Sequence, residues 1–384
     1  MKLILTTLLA LAGFPAWAVT VSLAGFSYAG DHQSLDSRFP HTRRVTEAMA
    51  AEKSSADRLI ADTLAATRID HFTLQQGELA QLKGSDQSIA VSLVITNETT
   101  LVEKIGGVYK LFLQLRAQVM FFDFKTMTVL RSYPFDVPFL DVLPTPPTDA
   151  EIEERVRTMI VGGKKAGLVQ RFAGQLAAAT LPDQVPRFLQ VSKVTIGPEA
   201  MATLPAALQA TPGTAETWLA DQFSEAISSS TGVPVLPYAK GYAIGNVMAM
   251  RFADGTVFNL KIPEADYAFS VNLTQFKRVK TGESVAGISY VYGTFADLKL
   301  EEPLSGRAYL DNKFKNGETK AVPALQAEVD DFPAYADSVR GLFTKLTAAF
   351  AGRGDPAWIK SATSASPTID AQLSATKTVL QSCK

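Results

Sequence analysis

The sequence predicts an α+β fold made of two tandem mixed-sheet modules, each in the order β-α-β-β-β-α. Three observations carry that expectation. Tyr109 to Phe124 alternates apolar and polar side chains, the pattern of a strand in an antiparallel sheet. Thr148-Asp149-Ala150-Glu151 is a Thr-x-x-Glu capping box, which opens a helix. The order of strands and helices then repeats, with Asn97-Glu98-Thr99 and Asn272-Leu273-Thr274 in matching places, 175 positions apart.

In chain order, Met1-Lys2, the apolar run Leu3 to Phe14 and Ala16-Trp17-Ala18 have the charge, the run and the small-x-small site of a cleavable secretory signal. A membrane anchor is the poorer reading, because Pro15 interrupts a run already short for about 30 Å of hydrocarbon. No cysteine stands at the cleavage point, so no lipoprotein is expected. The expected division is a signal peptide over 1–18, a first α+β module over 19–184, a second over 185–355, and a linker with a short C-terminal helix over 356–384.

The first module opens with the strand Val19 to Phe26, followed by a helix from about Arg43 to Thr67, with Leu59, Ile60 and Leu64 at helical spacing. Short strands follow at Ile69 to Leu74 and Ile89 to Ile95. In Tyr109 to Phe124, Leu111, Leu113, Leu115, Ala117, Val119 and Phe121 share the expected core face. Lys110, Gln114, Arg116 and Gln118 share the expected wet face. Val129 to Val137 returns as the next strand, and Ile152, Val156, Met159 and Ile160 stripe the capped helix. The second module reads as the strand Leu189 to Ile196, the helix Thr214 to Ser230, the strands Val257 to Ile262, Tyr267 to Phe276, Val285 to Leu300 and Arg307 to Phe314, and the helix Ala334 to Phe350.

The offset of 175 places Leu113 on Ile288, Leu115 on Tyr290 and Ala117 on Tyr292, core on core. A one-residue slip would invert every side chain of a strand, so this preserved parity points to an internal duplication. The segments Val21 to Phe26, Leu59 to Leu64, Ile95-Thr96-Asn97 and Phe124 to Leu130 give each half an element order similar to that of the TolB amino-terminal domain. Related modules occur in CsgG, in the lipoprotein activators of penicillin-binding proteins and in the FlgT middle domain. The resemblance implies non-catalytic interaction domains of the bacterial envelope and carries no catalytic residues. That family's bend often reads Asp-x-x-Thr-Gly followed by an apolar residue, and the Gly is missing here.

Composition bounds the chemistry. Lys plus Arg number 37 and Asp plus Glu 38, so no basic excess suggests nucleic acid as a partner. The histidines are His32, His41 and His71, without metal-ligand spacing, and no metal or cofactor is expected. Gly162-Gly163-Lys164-Lys165-Ala166-Gly167 lacks the Lys-Ser/Thr of a phosphate loop and reads as a helix break. Ser374-Ala375-Thr376-Lys377 and Lys280-Thr281-Gly282 stand in the wrong order for penicillin-binding motifs, and the second reads as a hairpin turn. The couplets Asp330-Asp331 and Glu301-Glu302 read as solvated surface, since neighbours in a strand point to opposite faces.

The expected function is therefore protein–protein interaction or assembly of an envelope complex, periplasmic or secreted, without catalysis and without an integral membrane segment. The alternatives are a small-ligand or glycan binding protein with its site between the modules, and a hydrolase with an unrecognised site. The candidate partner contacts are Phe122 and Phe124, which have the exposed parity, and the tail residues Leu373, Leu380 and Cys383. Cys383 is the sole cysteine, so it is either an idle thiol or the link of a disulfide-bonded dimer.

Overall fold

Strand β1 (Thr20–Ala29) is the first element of the computed structural model, which describes residues 19–30, 35–76, 88–181, 186–252, 254–324, 326, 329–363 and 367–384. The expected signal peptide, His32 and linker residues 364–366 lie outside the described residues. Helix α1 (Leu35–Arg38) leads to α2 (Pro40–Ala51) and α3 (Ala56–Ala65), so the single helix expected from Arg43 to Thr67 is in fact two. Lys53 at φ 60° breaks it, and the Ser55 hydroxyl restarts it by accepting from the Arg58 N–H.

Strand β2 (Thr73–Gln76) begins later than expected and is followed by β3 (Ile89–Ile105), β4 (Val108–Asp123) and β5 (Thr128–Leu143). Helix α4 (Asp149–Val161) starts at the capping box, where Thr148 and Glu151 exchange hydrogen bonds. It ends at Gly162, whose φ of 87° only glycine adopts without strain, and α5 (Leu168–Ala178) follows.

The second half runs β6 (Leu189–Ile196), α6 (Pro198–Met201), α7 (Ala206–Gln209), α8 (Thr214–Thr231), α9 (Ala239–Tyr242), β7 (Ala243–Ile244), β8 (Val247–Phe252) and β9 (Val257–Lys261). It continues with β10 (Tyr267–Ser284), β11 (Gly287–Glu302), β12 (Arg307–Pro323), α10 (Phe332–Phe350), α11 (Pro356–Ala362) and α12 (Ile369–Ser382). No described helix is long and apolar enough to cross a membrane.

The fold is α+β with two mixed sheets, and the halves share a strand order. In one, β1 lies parallel to β3, and β4 and β5 follow antiparallel; in the other, β6 lies parallel to β10, and β11 and β12 follow. Shared connectivity does not by itself establish a duplicated ancestor. The register also differs from the one read from the Asn triplets. The hairpins close at Ile105↔Val108 and Ser284↔Gly287, which sets Leu113 against Tyr292 rather than Ile288. A displacement of four residues keeps the parity, which is why core still met core. Thr281-Gly282 lies within β10, at an irregularity of register, and the turn is made at Val285-Ala286.

The strands β8 and β9 belong to the second half by sequence and to the first by pairing. β8 lies antiparallel to β1, with Ser27 opposite Phe252, and β9 meets β5 at Thr128↔Lys261, where the Lys261 N–H donates to the Met127 carbonyl at 2.6 Å. The ring β1-β3-β4-β5-β9-β8 therefore closes on itself. Inside it lie Val94, Met120, Phe122, Phe124, Met248, Met250 and Leu260. Phe122 and Phe124 are thus not exposed: Phe258 packs on both, at ring-centroid distances of 6.4 and 5.3 Å.

The odd-numbered residues of β4 pack under α2–α5 as expected, with Leu113 and Phe121 in one core with Val156 and Phe172. The even-numbered face is not wet. Gln114, Arg116 and Gln118 are 2%, 4% and 3% exposed, because the second half lies over them with α8 against β5. The core of the second half gathers β6, β10–β12, α8 and α10, and α12 joins it. There Leu380 and Cys383 are buried and Leu373 half-buried, so the tail docks on its own chain. Burial pushes the free Cys383 thiol up to about 12, and a disulfide-bonded dimer through it finds no support.

Candidate functional site

Where the halves face each other they leave a cleft of about 1020 Å³. One wall is the even-numbered face of β4, with Phe112, Gln114 and Arg116, flanked by Asn97 to Leu101 of β3. The other is α8 with Thr217, Trp218, Asp221 and Gln222, and α10 with Phe332, Ala336 and Arg340. Asn259 of β9 and Ala249 of β8 also border it. Helix α8 supplies this wall because it has two working faces. Leu219, Phe223 and Ile227 point into the core, while Thr214, Thr217, Asp221 and Gln222 recur at helical spacing toward β4.

The wall is chemically mixed. The Trp218 and Phe332 rings lie 5.9 Å apart, and Phe332 and Phe112 are half-buried, which leaves ring surface to the cleft. Asn97, Gln114, Gln222 and Asn259 are amides that can donate and accept. Several charges are already engaged. Arg38 donates to the carbonyls of Ala29 and Thr96, at 3.1 and 2.6 Å. Glu98 accepts from the N–H groups of His41 and Thr42 at the start of α2, using the positive end of that helix.

Two clusters of charged side chains span the joint. At one end, the Lys110 ammonium lies 3.0 Å from Glu103 and 4.0 Å from Asp330. Burial and then the Glu103 carboxyl push Asp330 up to about 7. Burial alone would raise Glu103, but its hydrogen bonds to Asp330 and Lys110 hold it below its ordinary value. At the other end, Arg116 lies 3.7 Å from Glu225 of α8 and donates to Gln114 at 3.1 Å, while Gln114 donates to Asp136 of β5. Burial, then the charge of Asp136, push Glu225 up to about 8.

Asp330-Asp331 is therefore not solvated surface. Asp331 accepts from Arg278 and from the Tyr292 hydroxyl, both at 2.6 Å. Burial and that bond push the Tyr292 phenol up to about 12. None of the sequence-derived candidates Phe122, Phe124, Leu373, Leu380 and Cys383 lines the cleft. Its residues were missed because they are a helix's polar face and a strand's polar face, which read singly as solvated. The available signal was a polar stripe on α8 without Lys or Arg and rich in Thr and Ser.

A second cavity of about 230 Å³ lies between β1, α2, α3 and β8, bordered by Tyr28, Thr46, Asp57 and Arg251. Asp57 accepts from the Phe26 N–H, and burial raises its carboxyl above the ordinary value. Among the described residues, no three or more of His, Cys, Asp and Glu gather as a metal site would require.

No family model and no curated protein matches this sequence. Among solved structures, protein XCC0632 from Xanthomonas campestris, of family DUF330, is similar over 47% of this chain and 91% of its own, at 15% identity and a TM-score of 0.23. TolB from Acinetobacter baumannii is similar over 81% of this chain and 62% of its own, at 9% identity and a TM-score of 0.11. These scores carry no argument about fold or function, and the resemblance to TolB-type modules has only this weak counterpart.

Proposed function

We propose that this chain is an exported binding protein that holds a short oligosaccharide in the cleft between its halves, without catalysis. The observation that carries the reading is the cleft itself, about 1020 Å³ and walled by both halves. Clefts between domains are common ligand sites. A sugar ring has one apolar face and an edge of hydroxyls. Phe112 and Phe332 offer ring surface to the first, and Asn97, Gln222 and Asn259 offer donors and acceptors to the second. Export is supported by the apolar run Leu3 to Phe14 before Ala16-Trp17-Ala18.

Calorimetric titration with N-acetylglucosamine oligomers of two to six units, with cellulose oligomers of the same lengths as comparison, tests this. Saturable heat from either series that is lost in Phe112→Ala/Gln222→Ala is the expected result. Absence of heat from both series, in folded protein, overturns it.

A second reading, contact with another envelope protein, is favoured by Leu140 and Val142, which are 61% and 58% exposed near the end of β5. Leu140 stands opposite Phe112 of the cleft wall. A photocrosslinking residue at position 140 in cells captures a protein under this reading and nothing beyond background otherwise.

A further inference from the structure

We infer that the cavity of about 230 Å³ between β1, α2, α3 and β8 is a site for a free α-amino acid, whose ammonium is held by Asp57 and whose carboxylate is held by Arg251. The site is separate from the cleft, since no residue borders both.

The cavity lies where the two halves are joined. Tyr28 of β1 and Arg251 of β8 are cross-strand partners, so their side chains rise from the same face of the sheet, the face that carries α2 and α3. In β1 the register shifts between Leu23 and Gly25, and beside this bulge the Phe26 N–H donates to Asp57 Oδ1 at 2.6 Å. Gly25 permits the approach, because a Cβ there would strike that oxygen. The first half thus contributes Asp57, in the first turn of α3, and the second half contributes Arg251.

Four charged side chains border the cavity: Arg43, Glu47, Asp57 and Arg251. Arg43 pairs with Glu47 at 2.9 Å and also with Asp36. Among the described residues, Asp57 and Arg251 have no ion-pair partner, neither each other nor a third group. The Arg251 Nε is buried and makes no hydrogen bond, and Nη1 has one long contact, 3.5 Å to the Gly255 carbonyl. A buried donor without an acceptor is costly, and a ligand carboxylate supplies the acceptor that the protein does not. On Asp57, Oδ1 takes the Phe26 N–H and leaves the second oxygen for another donor. Burial raises this carboxyl above its ordinary value despite the bond to Phe26, and the charge of Asp254 adds to the rise; an ammonium offsets both.

A lone cation or a lone anion would satisfy one of the two groups and leave the other unmatched. An α-amino acid carries an ammonium and a carboxylate on one carbon. A guanidinium takes a carboxylate with two parallel N–H donors, here Nε–H and an Nη–H. Leu35, Ala56 and Phe252 are the buried apolar wall for the amino acid's side chain. At about 230 Å³, the space exceeds the roughly 150 Å³ in which an apolar cavity holds benzene. The ligand would tie α3 to β8 and so hold the closing strand against β1.

Thermal unfolding of the full chain with leucine, methionine or phenylalanine, together with calorimetric titration, tests this. At least one of the three is expected to raise the melting temperature progressively with its concentration, as mass action requires of a ligand for the folded state. Its N-acetyl derivative lacks the ammonium and its amide lacks the carboxylate. Each is expected to bind about 10- to 100-fold more weakly, the loss of a hydrogen bond to a charged group. Asp57→Asn keeps an acceptor for the Phe26 N–H without the charge, and Arg251→Met removes the guanidinium. Both are expected to weaken binding by a similar factor while far-ultraviolet circular dichroism stays that of the wild type. The two derivatives decide the matter on the wild type if either variant misfolds.

Absence of shift and heat with all three amino acids overturns the inference. So does equal binding of an amino acid and either derivative, or undiminished binding in both folded variants. A failed oligosaccharide titration leaves this site standing, and failure here leaves the cleft reading untouched, because the two share no residue.

Discussion

Phe122→Ala tests whether the two halves are locked by the closed ring. Phe122 has no exposed surface, and its ring packs on Phe258, which comes from the second half. Truncating a fully buried phenylalanine removes its transfer free energy and leaves a cavity, about 3–5 kcal/mol in all. For a cooperative unit of about 150–250 residues, each kcal/mol moves the melting temperature by about 2–4 °C, so a fall of about 8–16 °C is expected for about 4 kcal/mol. The assay has a built-in reporter. In protein beginning at Val19, the tryptophans are Trp218 and Trp358, both in the second half. Urea unfolding followed by tryptophan emission is expected to shift together with far-ultraviolet circular dichroism. An unmoved tryptophan transition beside an early transition by circular dichroism would refute the lock. In a double-mutant cycle, Phe122→Ala and Phe258→Ala are expected to be non-additive by about 0.5–3 kcal/mol, since their rings share one contact.

Gly25 has a φ of 94°, and a Cβ there would strike the Asp57 carboxylate; Gly25→Ala is expected to cost about 1–3 kcal/mol, and an unchanged melting temperature would contradict that geometry. Leu380→Ala should cost about 2–5 kcal/mol by calorimetry, because α12 belongs to the core of the second half. With the Cys383 thiol buried and its pKa pushed up by that burial, a thiol reagent at pH 8 is expected to label native protein only as fast as the tail opens; immediate labelling would argue against the docked helix. Arg116→Met removes the buried cation between Asp136 and Glu225 and should cost about 3–5 kcal/mol, with a smaller penalty in a Glu225→Gln background. Equal penalties in both backgrounds would show that Arg116 acts without Glu225.

Local pattern was enough where the partner of a face is apolar and near in sequence. The odd face of β4 was legible because Leu111 to Phe121 alternate without a break, and the capping box marked α4 to the residue. The even face was misread because a polar residue buried against another polar residue looks solvated in one dimension. Gln114 and Arg116 are covered by Asp136 and Glu225, and only the second half brings Glu225 there. Phe122 and Phe124 were misplaced for a related reason. Their cover is β8 and β9, more than a hundred residues downstream, and the segment leading into β8 holds Gly245 and Asn246 rather than a clean alternation. The cleft was anticipated only as an alternative, because it is a property of the joint.

The closing strand arrives late in the chain, and that orders assembly in time. β1 is covered by β2 along residues 20–23 but by β8 at residues 27–29, Ser27 meeting Phe252, so that end of its second edge waits for more than two hundred further residues. Until then that end of β1 presents open backbone donors and acceptors, the kind of edge that captures other chains. Contacts of such sequence separation also slow folding, since a large loop must close before they form. Release of a fragment ending near residue 184 should therefore yield an unfinished sheet with Met120, Phe122 and Phe124 uncovered, prone to association, rather than an independent domain.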